Sequence, residues 1–212
     1  NYPRLRLVHV NDAFSDHPMT DVAAKTWTAC TPQSIGDFSA AAYFFGRELL
    51  EKEKVPSGLI ETDWGGTPAE AWTSLDALSA DSSLMPIFAA RAQMMDGQAT
   101  VALQLKNEAR QQEAAKAAGK PPIEFNWHPD TNSWAPAALF NAMIAPLTPL
   151  PIRGAIWYQG ESNTDKDRAP IYSKLFQTMI QDWRAHWAQG NFPFIFAQIA
   201  NYNTTPGDGW PI

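Results

Sequence analysis

Apolar residues along this chain recur in two rhythms, and the switches between them lay out its elements. Leu5-Arg6-Leu7-Val8-His9-Val10 alternates in part, which is the period of a strand. Residues 11–26 are polar and proline-bearing, hence a loop, and Trp27–Cys30 reads as a short strand. Phe38, Ala42, Phe45 and Leu49 then recur at helical spacing behind Ser34 and Asp37 as caps. This predicts a helix over about 37–53, stopped near Lys52, Lys54 and Pro56. Ser57–Thr62 is the next strand, so 38–62 forms the second half of a β-helix-β crossover. Such crossovers imply a parallel sheet covered by helices.

Asp76–Ala80, Met85–Met95 and Ala99–Ala118 read as helices. The last is rich in alanine with one weak apolar face, a good helix former with little to bury. Residues 121–138 hold Pro121, Pro122, Pro129 and Pro136 around Trp127, His128 and Trp134, a long loop whose aromatics favour order. Residues 76–138 therefore read as a helical and loop insertion. Leu139–Ile144 is a short helix, Ile152–Tyr158 a strand, and Phe192–Ile199 another that leads to Asn201-Tyr202-Asn203. Between these strands, Ile171–Trp187 is a helix with Leu175, Met179, Ile180 and Trp183 on one face. The order predicts an α/β layered fold.

Two of the strands end in unusual turns. Asp63-Trp64-Gly65-Gly66-Thr67 follows Gly58–Ile60, and Trp157-Tyr158-Gln159-Gly160-Glu161-Ser162-Asn163 follows Ile152–Ile156. Ligands of α/β proteins bind at the carboxyl ends of strands, so the two turns predict one shared pocket. Composition narrows its use. The formal charge is −6 and no basic stripe is visible, which argues against nucleic acid. No run approaches ~18 apolar residues, so no membrane-spanning helix is predicted. The single Cys30 makes no intrachain disulfide, and the 4 histidines lack ligand spacing, so neither metal nor cofactor is expected. The 9 tryptophans sit mostly beside Gly, Pro or polar residues, which fits either loop-covering core or a cleft that stacks on sugars. Trp64, Trp127, Trp134 and Trp157 are the candidates for such a wall, with His128 at its border.

Four segments resemble the sialate O-acetylesterase-like family of SGNH hydrolases: Phe38–Arg47, Trp64–Trp72, Leu139–Leu147 and Trp157–Asn163. The likeness keeps their order and covers nearly all 212 residues. It implies a flavodoxin-like three-layer α/β/α fold with a parallel sheet, of which residues 1–212 form an incomplete, central portion. It also implies a secreted or periplasmic enzyme that removes O-acetyl groups from sialic acids or plant-polysaccharide sugars. The family's nucleophile is a Ser in a Gly-Gln-Ser-Asn word and its base a His in an Asp-x-x-His word. Neither is present: Gln33-Ser34-Ile35 lacks the glycine, and Asp182-Trp183-Arg184-Ala185-His186 has the wrong spacing. Both groups are expected outside this chain, in missing segments or a second chain, and the chain alone is expected to be inactive. A non-catalytic carbohydrate-binding or structural relic is the alternative.

Serine ester hydrolysis needs donors for a tetrahedral oxyanion. By resemblance, a glycine of the first turn gives a backbone N–H, either Gly65 or Gly66, with Gly65 the first choice. The second turn supplies an amide, with Gln159 the first choice and Asn163 the second. Glu161 would oppose the developing charge, so it is expected to accept turn N–H groups or orient a His or Arg. A glycosidase pair drawn from Glu61, Asp63 and Glu161 would leave the glycines and Gln159 without a purpose.

Overall fold

A computed structural model describes residues 1–126 and 128–200. Trp127 and Asn201, both singled out above, lie outside the described residues. Strand β1 (Tyr2–His9) buries Leu5, Leu7 and Val8. It pairs with β2 (Thr28–Cys30) on one side and β3 (Ser57–Glu61) on the other. Helix α1 (Ala40–Glu53) makes the crossover between β1 and β3, which run parallel with Leu7 beside Leu59 and His9 beside Glu61. The helix starts later than predicted because Ser39 is its cap, its hydroxyl accepting the Ala42 N–H. Ser34 instead ties its own turn, donating to the Ala29 carbonyl at 2.8 Å.

α1 buries Ala42, Gly46 and Leu50. A Cβ on Gly46 would stand 2.6 Å from a Leu59 methyl, so glycine lets the helix close on β3. Phe45, predicted to face the core, is exposed, as is Phe44, where Arg47 stacks at 4.9 Å from the ring centroid.

A second crossover follows the same plan. β4 (Ala155–Trp157) runs parallel to β5 (Phe194–Phe196), with α4 (Ala169–Trp187) between them. The expectation of one wholly parallel sheet is corrected here. Two small sheets form, and β2 runs antiparallel to β1. The reason is local: the loop from 10 to 27 carries no helix that would return the chain in the same direction.

The main core lies between α4 and the short helical segment after residue 137. Leu139–Ile144 is buried throughout and winds partly as a π turn, packing on Trp72, Met179, Trp183 and Trp187. Helix α2 (Leu75–Ser79) is brief. Helix α3 (Met85–Ala117) is one continuous rod of 33 residues where two helices were predicted, and it buries only Ile87 and Ala115. Among the described residues, no helix is long and apolar enough to cross a membrane.

Candidate functional site

β3 delivers the chain to the turn at Trp64-Gly65-Gly66-Thr67. The Thr67 hydroxyl closes it, donating to the Trp64 carbonyl at 2.6 Å and accepting Trp72 Nε1 at 3.0 Å. Gly66 has φ of 75°, a left-handed conformation that a side chain resists. Gly65 faces open space, with nothing within 4 Å of where a Cβ would sit. The N–H groups of both glycines make no hydrogen bond among the described residues. Beside Gly65 lies a cleft of about 380 Å³, walled by Asn11, Asp12, Lys25, Asp63 and Trp64. Burial, together with the nearby Asp63 carboxylate, raises the Asp12 pKa, and His9 opposes the shift.

The second turn packs behind the first. Gln159 Nε2 donates to the Thr67 carbonyl at 3.1 Å and to Asn163 Oδ1 at 2.7 Å, and Gln159 Oε1 accepts the Tyr172 hydroxyl at 3.0 Å. Asn163 is buried. Its Oδ1 also accepts the Ala69 N–H at 2.9 Å, while Nδ2 donates to Glu70 Oε2 at 2.8 Å. The partners fix both amide orientations, since a carbonyl and a carboxylate can only accept and a backbone N–H can only donate. Gln159 therefore spends both amide hydrogens inside the protein. Burial, then the Glu70 charge, raises the Tyr172 pKa.

Glu70, buried in the turn Ala69–Trp72, extends the network. Its Oε1 accepts Arg168 Nε at 2.9 Å. Arg168 also reaches Asp165 at 2.7 Å and stacks over Trp134 at 5.0 Å, and Trp134 Nε1 donates to the Gly66 carbonyl at 2.8 Å. The contacts thus close a ring: Gly66, Trp134, Arg168, Glu70, Asn163, Gln159 and Thr67, which is bonded to Gly66. Burial works against the Asp165 carboxylate, but Arg168 and turn N–H groups outweigh it and lower its pKa. Next to the ring, Ala137 holds a positive φ of 64° while its N–H donates to the Glu70 carbonyl at 2.9 Å. Strained backbone of this kind persists where surrounding structure over-determines it.

The other predicted residues separate cleanly. Glu161 is exposed at the start of the 3₁₀ turn Glu161–Asn163. Trp64 walls the cleft, whereas Trp157 packs against Trp72, Trp183, Phe176 and Phe194 in the core. His128 pairs with Glu108 of α3 at 3.1 Å. His186 lies at the end of α4 within 3.1 Å of Asp182, whose carboxylate also accepts the Ser74 hydroxyl at 2.7 Å and the Ser74 N–H at 2.8 Å. That Ser, Asp and His group is a helix latch: the serine gives its hydrogen to the carboxylate, not to the imidazole, and its oxygen caps α2. Among the described residues, no serine hydroxyl bonds a histidine ring nitrogen.

The sequence alone hid one cluster. Register in the β1–β3 pair sets His9 beside Glu61, with Nδ1 to Oε2 at 2.8 Å, and Asp63 follows at the strand end. Ligand atoms of the three lie within 4.8 Å of one another. The other Glu61 oxygen accepts the Ser39 N–H at 2.6 Å, so the carboxylate is already used to hold the start of α1 and to orient His9.

The two strand-end turns are stitched together, but the cleft is lined from the first turn and not from the second. The family model for carbohydrate esterases described as sialic acid-specific acetylesterases matches residues 114–209. The chain matches the sialate O-acetylesterase family in part. It is 30% identical to the mouse sialate O-acetylesterase, over 95% of the chain and 38% of that protein. It is 27% identical to the human sialate O-acetylesterase, over 99% of the chain and 36% of that protein. A crystal structure of a carbohydrate acetylesterase from Xanthomonas citri superposes with a TM-score of 0.69 at 30% identity, over 95% of this chain and 35% of that one. The chain therefore spans a little over a third of the length of the relatives it matches.

Proposed function

We propose that this chain forms the oxyanion-binding and sugar-binding side of a serine-type carbohydrate O-acetylesterase. The observation that carries this is the pair of N–H groups at Gly65 and Gly66, unengaged among the described residues, in a braced turn whose Gly65 lines the cleft. Donors fixed before the reaction need no reorganisation as the oxyanion forms, and losing one costs about 10²–10³ in rate in a well-studied protease. Gly65 is the first donor, and Gly66 supports it. Gln159 and Asn163 belong to the same site as braces that hold the glycine turn, and Glu161 borders it. The cleft suits a sugar: Asn11, Asp12 and Asp63 offer groups for hydroxyls, and Trp64 offers a ring face.

Residues 1–212 are on this view the central portion of an SGNH esterase domain, with 76–138 as its insertion. The exposed α3 supports that limit, although the end of the insertion, at Trp134 and Ala137, reaches the site. The nucleophile and base come from segments or a chain beyond these residues. The family match and the names of the relatives support an acetylated sugar as substrate.

The test is acetate release from acetylated sugars by the full natural protein that carries this chain, compared with Gly65→Val. A Cβ at Gly65 meets nothing within 4 Å, so Tm should hold, while the branched side chain obstructs approach to the retained N–H and kcat/KM falls roughly 10²-fold. Unchanged kcat/KM in that variant would remove Gly65 from the site. The chain alone should release none above background, and turnover by it would show that the nucleophile lies within these residues.

A further inference from the structure

In the ring that joins the two turns, each member contacts the next, and the circuit ends on the candidate donor turn.

We propose that Arg168 is a positioning residue for the oxyanion-binding turn, acting on it from two sides through Trp134 and Glu70. This rests on the esterase function proposed above. One path runs from the guanidinium face to Trp134, and from Trp134 Nε1 to the Gly66 carbonyl at 2.8 Å. That carbonyl lies in the Gly66–Thr67 peptide, so holding it fixes the plane next to the one that carries the Gly66 N–H and restrains the turn through the Gly66 backbone. The other path runs from Arg168 Nε to Glu70, then through Asn163 and Gln159 to the Thr67 carbonyl at 3.1 Å. Gly66 and Thr67 are thus gripped at successive carbonyls by branches of one side chain.

Lysine does not replace this arginine. Nε serves Glu70, a terminal nitrogen serves Asp165 and the planar face serves Trp134, three tasks that need the guanidinium fork and its flat surface. The carboxylate is equally specific. Both Glu70 oxygens accept, one from Arg168 and one from Asn163, so Glu70→Gln would turn one N–H against another. Misplacement by about 1 Å of a group that meets the transition state can cost on the order of 10²-fold in rate.

The experiment measures kcat and KM for a chromogenic acetyl ester, with Tm alongside, in the full natural protein. Arg168→Ala should lower kcat at least ten-fold and leave KM within about three-fold, the signature of an interaction felt mainly in the transition state. Guanidinium ion at tens of millimolar should return part of the lost kcat. Arg168→Lys keeps the charge and should fall between wild type and alanine. A kcat within two-fold of wild type in both variants would overturn the proposal and leave the esterase function standing. So would a loss in the lysine variant that appears wholly in KM, or a loss in the alanine variant that guanidinium does not relieve while Tm stays above the assay temperature. If the wild-type protein releases no acetate from any acetylated sugar or chromogenic ester, the esterase function fails first and takes this proposal with it.

Discussion

The stitched turns and the helix α3 are opposite answers to the problem of ordering a polar stretch of chain. In the turns, Glu70 and Asn163 are buried, and each polar side-chain atom of these two residues has a partner. In α3, 33 residues hold their shape while burying two side chains. The helix owes its order to alanine-rich propensity and to its own backbone bonds. The turns owe theirs to groups far away in the chain. The difference predicts where the molecule is brittle.

The largest effect should come from Glu70→Ala, which leaves the half-enclosed Arg168 charge with Asp165 alone and the buried Asn163 Nδ2 without its acceptor. Removing one member of a buried pair costs about 3–5 kcal/mol, whereas Glu113→Ala on the exposed side of α3 should stay within roughly 0.5 kcal/mol of wild type. Urea unfolding of the two variants makes the contrast directly, and similar midpoints would break it. Ser74→Ala comes next. It removes the α2 cap and leaves a buried Asp182 oxygen short of a donor, so about 1–3 kcal/mol should be lost on the same measurement.

Gly97→Ala tests the other side. A Cβ there meets nothing within 4 Å, and the helix is continuous through it, so alanine should stabilise by about 0.5–1 kcal/mol. The smallest effect concerns Tyr172. Its pKa stands above the usual 10.0, so the stability it contributes is complete below that value and is lost as pH rises through the folded one. Wild type should therefore lose stability more steeply than Tyr172→Phe as pH climbs beyond about 10. Equal slopes would show that the hydroxyl at Gln159 is not held in the folded state.

Sequence legibility follows the same division. Periodicity disclosed what neighbours decide. Of the predicted α4 face, Leu175, Met179 and Trp183 are buried and Ile180 is half-buried, and the β-helix-β crossovers lie where the rhythm changes. Glycine and motif spacing disclosed both turns. Periodicity failed where a side chain answers to a distant partner. Asp182 reads as a surface residue of an amphipathic helix, yet it is buried because Ser74 meets it from 108 residues away. Phe45 fits the apolar stripe of α1 but is exposed, since Gly46 lies one position on and takes the contact with Leu59. The place of Gln159 just after the strand was readable. That both its hydrogens are used behind the turn depends on Thr67, 92 residues earlier.

Those separations carry a consequence for the history of the chain. The four bonds that clamp Thr67, Ala69 and Glu70 to Gln159, Asn163 and Arg168 span 92 to 98 residues. The entropy lost in closing a loop grows only with the logarithm of its length, about 0.6 kcal/mol for each doubling. A helix such as α3 can therefore lengthen or shorten by whole turns at almost no thermodynamic expense, provided Trp134 and Ala137 still arrive at the ring. Length shows instead in kinetics, because contacts this remote form late in folding. The two turns are free to keep their geometry while the segment between them drifts.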